Sequence, residues 1–187
     1  MKMSNKKVVV FDFGSDYNLE IVKKVKETGM ESYLINHKTP ASELKKDKDI
    51  IGIILSGSRK SVYAEDGKTM DLDIYTLGLP ILGICYGMQL IAYQLGGVVE
   101  AMGFTEDEAI EVVIEENNPL LKQNAVVHMN HGDHVIKLPE GFTNYAHTPS
   151  TRHALMIDES RRLYATQFHP EMDESDVIKT FIMEICQ

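Results

Sequence analysis

Cys85 lies within Gly83-Ile84-Cys85-Tyr86-Gly87, between an apolar run ending at Ile84 and a strongly helical stretch beginning at Tyr86. Strand, sharp glycine-permitted turn and helix together form the arrangement of a nucleophile elbow, with cysteine where that motif carries serine. A helix N-terminus favours negative charge at its first turn, so Cys85 is expected to act as a thiolate. The competing reading is an inert core cysteine, since free Cys is often buried. A thiolate nucleophile needs a proton carrier for its leaving group, and seven histidines are available. His169 is the best placed of them, because it follows the strand-like Leu163 to Phe168 and precedes Pro170 and Glu171. Glu171 could accept a hydrogen bond from the far ring nitrogen and orient the imidazole. Alone, His-Pro-Glu reads as a surface loop; beside the cysteine elbow it reads as a Cys, His, Glu triad for covalent catalysis.

These residues need a scaffold. Val8 to Phe11 is a continuous apolar run broken by Asp12 to Asp16, as expected of a buried parallel strand. From Tyr17 onward Ile21, Val22 and Val25 fall at helical spacing, and Gly29 is a natural stop. Tyr33 to Ile35 predicts a second strand, Pro40 to Lys46 a short helix, and Ile50 to Leu55 a third strand, giving βαβαβ. Met70 to Leu77 suits a short helix, and Pro80 to Ile84 a fourth buried strand. Met88, Ile91, Ala92 and Leu95 then repeat at i, i+3, i+4 and i+7 until Gly96-Gly97. Six shorter strand-like pieces follow: Ala109 to Ile114, Ala125 to Met129, Val135 to Leu138, Phe142 to Ala146, Ala154 to Ile157 and Leu163 to Phe168. They are expected to extend the sheet in antiparallel fashion. A last helix is signalled by Asp173 as N-cap and by Ile178, Phe181, Ile182 and Ile185 on one face. The expected fold class is therefore α/β, an open, mostly parallel sheet with helices on both faces, three layers in all, and antiparallel extensions. Such sheets bind ligands at the carboxyl ends of their strands, here after Phe11, Leu55 and Ile84.

Composition narrows the partners. The 187 residues suit one domain, covering 1–187, and 43% hydrophobic with 25% charged residues suits a globular core. A formal charge of −9 makes phosphate-backbone binding unfavourable, so nucleic acid is not an expected partner. No apolar run approaches the roughly 20 residues that span a bilayer, and no membrane partner is expected. Two cysteines make no disulfide framework, and Met1 to Lys7 leads straight into a strand, which points to a reducing, cytoplasmic setting.

Pro80-Ile-Leu-Gly-Ile-Cys-Tyr-Gly-Met-Gln-Leu-Ile-Ala92 and Gln167-Phe-His-Pro-Glu171 resemble the two signature segments of class I glutamine amidotransferases, a family with a flavodoxin-like core. Phe11 to Asn18, Tyr86 and Met129-Asn-His-Gly-Asp133 are most similar to the glutaminase branch of two-subunit GMP synthetases. The resemblance implies that L-glutamine is the substrate, with Cys85, His169 and Glu171 catalytic and a glutamyl thioester as intermediate. It implies an oxyanion hole from the Tyr86 N–H and the loop carrying Gly57 and Ser58. It places the amino-acid end of glutamine at Gln89 and at the backbone around Asn130 and His131. No cofactor is implied in this chain; ATP and Mg²⁺ belong to a separate ATP-pyrophosphatase subunit that would take up the ammonia and convert XMP to GMP. The chain departs from the family pattern at Ser58-Arg59, where a second glycine and proline are usual. Because a serine enters φ > 0 less freely, the hole is expected to be misaligned until a partner binds. Asn130 stands where serine is common. The branch's Glu-Tyr-Gly is missing from Gly103 to Ala109, and no His-Thr follows Glu171. The alternatives are an amidotransferase serving another acceptor and a silent glutamine-binding or regulatory relative.

Four further features carry bland readings. His128, His131 and His134 recur every third residue, but on a strand and turn they need not converge on a metal. Ser56 to Lys60 lacks the spacing of a phosphate loop. The acidic Glu106 to Glu108 and Glu115-Glu116 read as solvated surface, or as a docking face for a basic partner. Cys186 reads as incidental.

Overall fold

The structure is a computed structural model and describes residues 5–187. Met1 to Ser4, expected to lead into the first strand, lie outside the described residues. The first apolar run forms β1 (Lys7–Asp12), followed by α1 (Asn18–Glu27), β2 (Glu31–Asn36), α2 (Ala41–Leu44) and β3 (Ile50–Leu55). A 3-10 turn (Leu72–Thr76) precedes β4 (Ile81–Ile84) and α3 (Tyr86–Gln94). The second half contributes β5 (Val98–Ile114), β6 (Ala125–Lys137), β7 (Thr143–His147), β8 (Leu155–Asp158), β9 (Leu163–Thr166) and α4 (Val177–Thr180).

All nine strands join one sheet in the order β2-β1-β3-β4-β9-β8-β7-β5-β6. The pairs from β2 to β9 are parallel, and those from β9 to β6 are antiparallel. The parallel half follows the 2-1-3-4 order of flavodoxin-like folds, with β9 in the fifth place. Period-two alternation in the continuously apolar strands feeds both faces. Val8, Val10, Ile54 and Leu82 pack with Ile21 and Val25 of α1 and with Val177 and Ile178 of α4. Val9, Phe11, Ile53 and Leu55 pack with Leu44 of α2 and with Met88 and Ile91 of α3. The result is the expected three-layer α/β architecture. No helix among the described residues is long and apolar enough to cross a membrane.

Four expectations change. The pieces Ala125 to Met129 and Val135 to Leu138 are one strand, β6, and β5 begins eleven residues before Ala109, at Val98. The β5/β6 register slips between Ala101 and Glu106, and this bulge hides the pairing from a search for regular alternation. Leu163 to Thr166 is not an antiparallel extension alone: β9 runs parallel to β4 and antiparallel to β8, joining the two halves of the sheet. Asp173 does not cap the last helix. Its carboxylate accepts from the Ser175 N–H at 2.8 Å, and the helix begins at Val177 after Asp176, whose φ is +58°. Finally, Glu106 is not solvated. It is 3% exposed, because β5/β6 pairing sets it opposite His131, while Asp107 and Glu108 remain exposed.

Candidate active site

The turn after β4 decides where Cys85 can go. Parallel pairing of β4 with β9 ends at Ile84 and Thr166, and the Cys85 N–H donates to the Thr166 carbonyl at 2.8 Å. The Cys85 carbonyl already accepts from the Gln89 N–H at 3.1 Å, so the residue is both the end of a strand and the cap of α3. Meeting both demands forces φ to +54° and ψ to −105°, a non-glycine conformation that costs on the order of 1–3 kcal/mol and persists only where the surroundings enforce it. The enforcement is close packing. A Cβ on Gly87 would stand 2.5 Å from the Leu55 carbonyl oxygen, and one on Gly83 2.7 Å from the Gly87 backbone. Only glycines let α3 approach β3 and β4 this closely.

The elbow aims Sγ of Cys85 into a cleft of about 500 Å³ lined also by Ser15, Asp16, Ser58, Gln89, Asn130 and His169. Its walls come from the loops after β1, β3 and β4, the carboxyl ends expected to bind ligand, and from β6. His169 approaches from β9. Its N–H donates to the His128 carbonyl at 2.8 Å, and its Nδ1 lies 2.6 Å from Oε1 of Glu171, whose side chain is fully buried. With Nδ1 donating to the carboxylate, Nε2 is the nitrogen left for Cys85, which lines the same cleft. Tyr17 and His128 pack edge-on to the His169 ring, with centroids at 5.5 and 6.2 Å. Burial is the largest effect on His169 and disfavours its charged form. The charge and hydrogen bond of Cys85, then those of Glu171, outweigh it and hold His169 well above the ordinary histidine range. The arrangement is that of an imidazolium poised beside a sulfur nucleophile.

The remaining sequence-predicted positions surround this core. Gly57 abuts it: an added Cβ would lie 3.2 Å from Cε1 of His169 and 3.8 Å from Cβ of Cys85. Ser58 lines the cleft, and its φ is not positive, so serine stands here without left-handed strain. Tyr86 opens α3, where its N–H has no intrahelical acceptor; its side chain is buried with the hydroxyl on the Lys68 carbonyl at 2.5 Å. Gln89 donates from Nε2 to the Asp133 carbonyl at 2.9 Å. The Asn130 carbonyl lies 3.6 Å from Sγ of Cys85, and His131 turns its ring away from solvent toward Glu106.

Several lining residues have no signal in the sequence. Asp133 is held by the hydroxyls of Ser61 (2.5 Å) and Tyr63 (2.7 Å), and Arg59 pairs with Asp16 across the mouth. Nothing in the spacing of these polar residues marks them; only the convergence of two loops with β6 does. Among the described residues, no group of three or more His, Cys, Asp or Glu could hold a metal ion.

The model of the glutamine amidotransferase class-I family matches residues 9–184. The chain belongs to that family. It is 42% identical to a GMP synthase [glutamine-hydrolyzing] of Macrococcus caseolyticus over 193 residues, an alignment covering all of this chain and 37% of that protein. It thus spans little more than a third of the length of the curated relatives it matches. The crystal structure of a putative GMP synthase subunit from Thermoplasma acidophilum superposes with a TM-score of 0.81 at 28% identity, covering 97% of this chain and 94% of the other. A glutamine amidotransferase of Thermotoga maritima shares the fold, with a TM-score of 0.69 at 18% identity over 95% of this chain and 81% of the other. Amidotransferase chemistry of this family uses a cysteine nucleophile, and Cys85 is the cysteine that reaches the cleft; Cys186 is buried elsewhere in the core.

Proposed function

We propose that this chain is the glutaminase of a GMP synthetase, releasing ammonia from L-glutamine for an ATP-pyrophosphatase unit that lies beyond these 187 residues and converts XMP to GMP. The observation that carries the chemistry is the strained Cys85 elbow facing a buried His169–Glu171 pair inside a cleft of amino-acid size. The names of the similar proteins support the acceptor.

In this reading the Cys85 thiolate attacks the side-chain amide carbon of glutamine, and the amide oxygen becomes an oxyanion. The N–H groups of Tyr86 and of the Gly57–Ser58 loop are the donors, each worth about 10²–10³ in rate in a comparable hole. The C–N bond breaks as the His169 imidazolium protonates the leaving nitrogen, giving ammonia and a glutamyl thioester. His169, now neutral, takes a proton from water; the hydroxide opens the thioester, and the thiolate and glutamate are released. Glu171 keeps the His169 ring in one tautomer throughout. Gln89 and the backbone at Asn130 and His131 hold the amino-acid end. ATP and Mg²⁺ act in the synthetase unit, and this chain needs no cofactor for its part.

The test is a paired synthesis assay on the complex. Cys85→Ala should abolish glutamine-dependent GMP formation and spare formation from added ammonia. Loss of both would refute the division of labour, and retention of glutamine-dependent synthesis would refute the nucleophile.

A further inference from the structure

Glu106 and His131 form a buried pair with both side chains 1% exposed, and neither belongs to the Cys85, His169, Glu171 group. Burying two ionisable groups is costly unless each is well partnered, so the partners reveal the purpose. Nδ1 of His131 lies 2.7 Å from the Asp133 carbonyl, which can only accept, so Nδ1 carries a proton. Nε2 faces Oε2 of Glu106 at 2.8 Å, and that carboxylate also accepts from Thr151 Oγ1 at 2.6 Å and Thr148 Oγ1 at 3.3 Å. Hydroxyl donors thus reach both carboxylate oxygens, and the pair holds the ring so that its Nδ1–H grips one backbone carbonyl.

That carbonyl is a junction. It also accepts from Nε2 of Gln89, while the Asp133 carboxylate is tied to Ser61 and Tyr63. Gln89, Ser61, Asn130 and Asp133 all line the cleft, whereas Glu106, Thr148 and Thr151 do not. The bulged β5 strand turns Glu106 inward opposite His131, so an element remote from the elbow fixes this wall.

We propose that Glu106 is a positioning residue which, through His131 and the Asp133 carbonyl, sets the wall that grips the amino-acid end of the substrate and so governs substrate affinity rather than thiol chemistry. This rests on the reading that the cleft takes glutamine.

The test follows alkylation of Cys85 in the full chain by a diazoketone analogue of glutamine, separating half-saturating concentration from limiting rate, with thermal melting recorded alongside. Glu106→Gln should raise half-saturation at least about tenfold while the limiting rate stays within about threefold. Thr151→Val, which removes one donor, should give a smaller shift in the same direction. Because loss of one partner of a buried pair can unfold a protein, Glu106→Leu/His131→Leu is the second variant: apolar replacement is tolerated by many buried pairs. It should melt close to wild type yet keep the raised half-saturation. Restoration of affinity along with stability in that double variant would reduce the pair to packing and overturn the proposal, as would unchanged half-saturation in Glu106→Gln. Wild-type protein whose Cys85 is neither alkylated nor protected by glutamine would instead overturn the glutaminase reading itself.

Discussion

Replacing Gly87 by alanine tests the link between helix packing and the nucleophile. An added Cβ meets the Leu55 carbonyl oxygen at 2.5 Å and the Leu55 Cβ at 2.8 Å, whereas ordinary contact begins at 3.4 Å. Both obstacles belong to the fully buried Leu55 of β3, so α3 must retreat by about 0.9 Å at its first turn, the difference between 3.4 and 2.5 Å. Overpacking of this kind costs about 1–3 kcal/mol. Alanine's better helix propensity returns at most about 1 kcal/mol, and less this near a helix start. With a return of about 0.5 kcal/mol the net cost is about 0.5–2.5 kcal/mol, and at about 2–4 °C per kcal/mol for a domain of this size the melting temperature should fall by roughly 1–10 °C. Function should suffer more than stability, because Cys85 moves with the turn while His169, tied to the His128 carbonyl, stays in place. A misplacement near 1 Å can cost about 10²-fold in rate. Melting by circular dichroism and intact-mass kinetics of Cys85 alkylation measure the two effects. A variant that alkylates at the wild-type rate would refute the claim that the Gly83–Gly87 packing holds the elbow.

Three other outcomes are expected. His169 is raised in the folded chain, so its charged form stabilises the fold fully below the ordinary histidine value near 6.5, and that stability is lost as pH rises through the folded value. Wild type should accordingly lose melting temperature from neutral toward alkaline pH more steeply than His169→Gln, and parallel profiles would refute the assignment. Ser58→Gly should leave glutaminase turnover within about twofold, since no positive φ awaits relief; a marked gain in turnover would show a strained loop after all. Native protein treated with iodoacetamide should be modified at Cys85 and not at Cys186, whose thiol burial pushes up to about 12; peptide mapping showing Cys186 reacting first would contradict this.

The parallel half was legible because its strands are apolar on both faces and separated by helical periodicity and glycine stops. The triad was legible because elbow and His-Pro-Glu each occupy contiguous sequence. The β5/β6 pair was not: its register slips at residues 102–105, and four residues facing one destroy the alternation by which strands are read. For the same reason Glu106 looked like one of three solvated carboxylates. Asp173 has the residue type of a cap, but capping is settled by backbone dihedrals, and the turn at Asp176 displaced the helix start. The wall of Asp16, Arg59, Ser61 and Asp133 is assembled from two separate loops and β6, which no local pattern encodes.

One strand carries an obligation beyond pairing. The Thr166 carbonyl anchors the Cys85 N–H, and three residues later the same chain segment delivers His169. Nucleophile and base are thus measured off a single ruler, and a residue inserted or deleted between Thr166 and His169 would carry the imidazole out of register with Cys85. Length variation among variants of this chain should therefore collect in the bulge at 102–105 and the loop at 115–124, and be absent from those four positions.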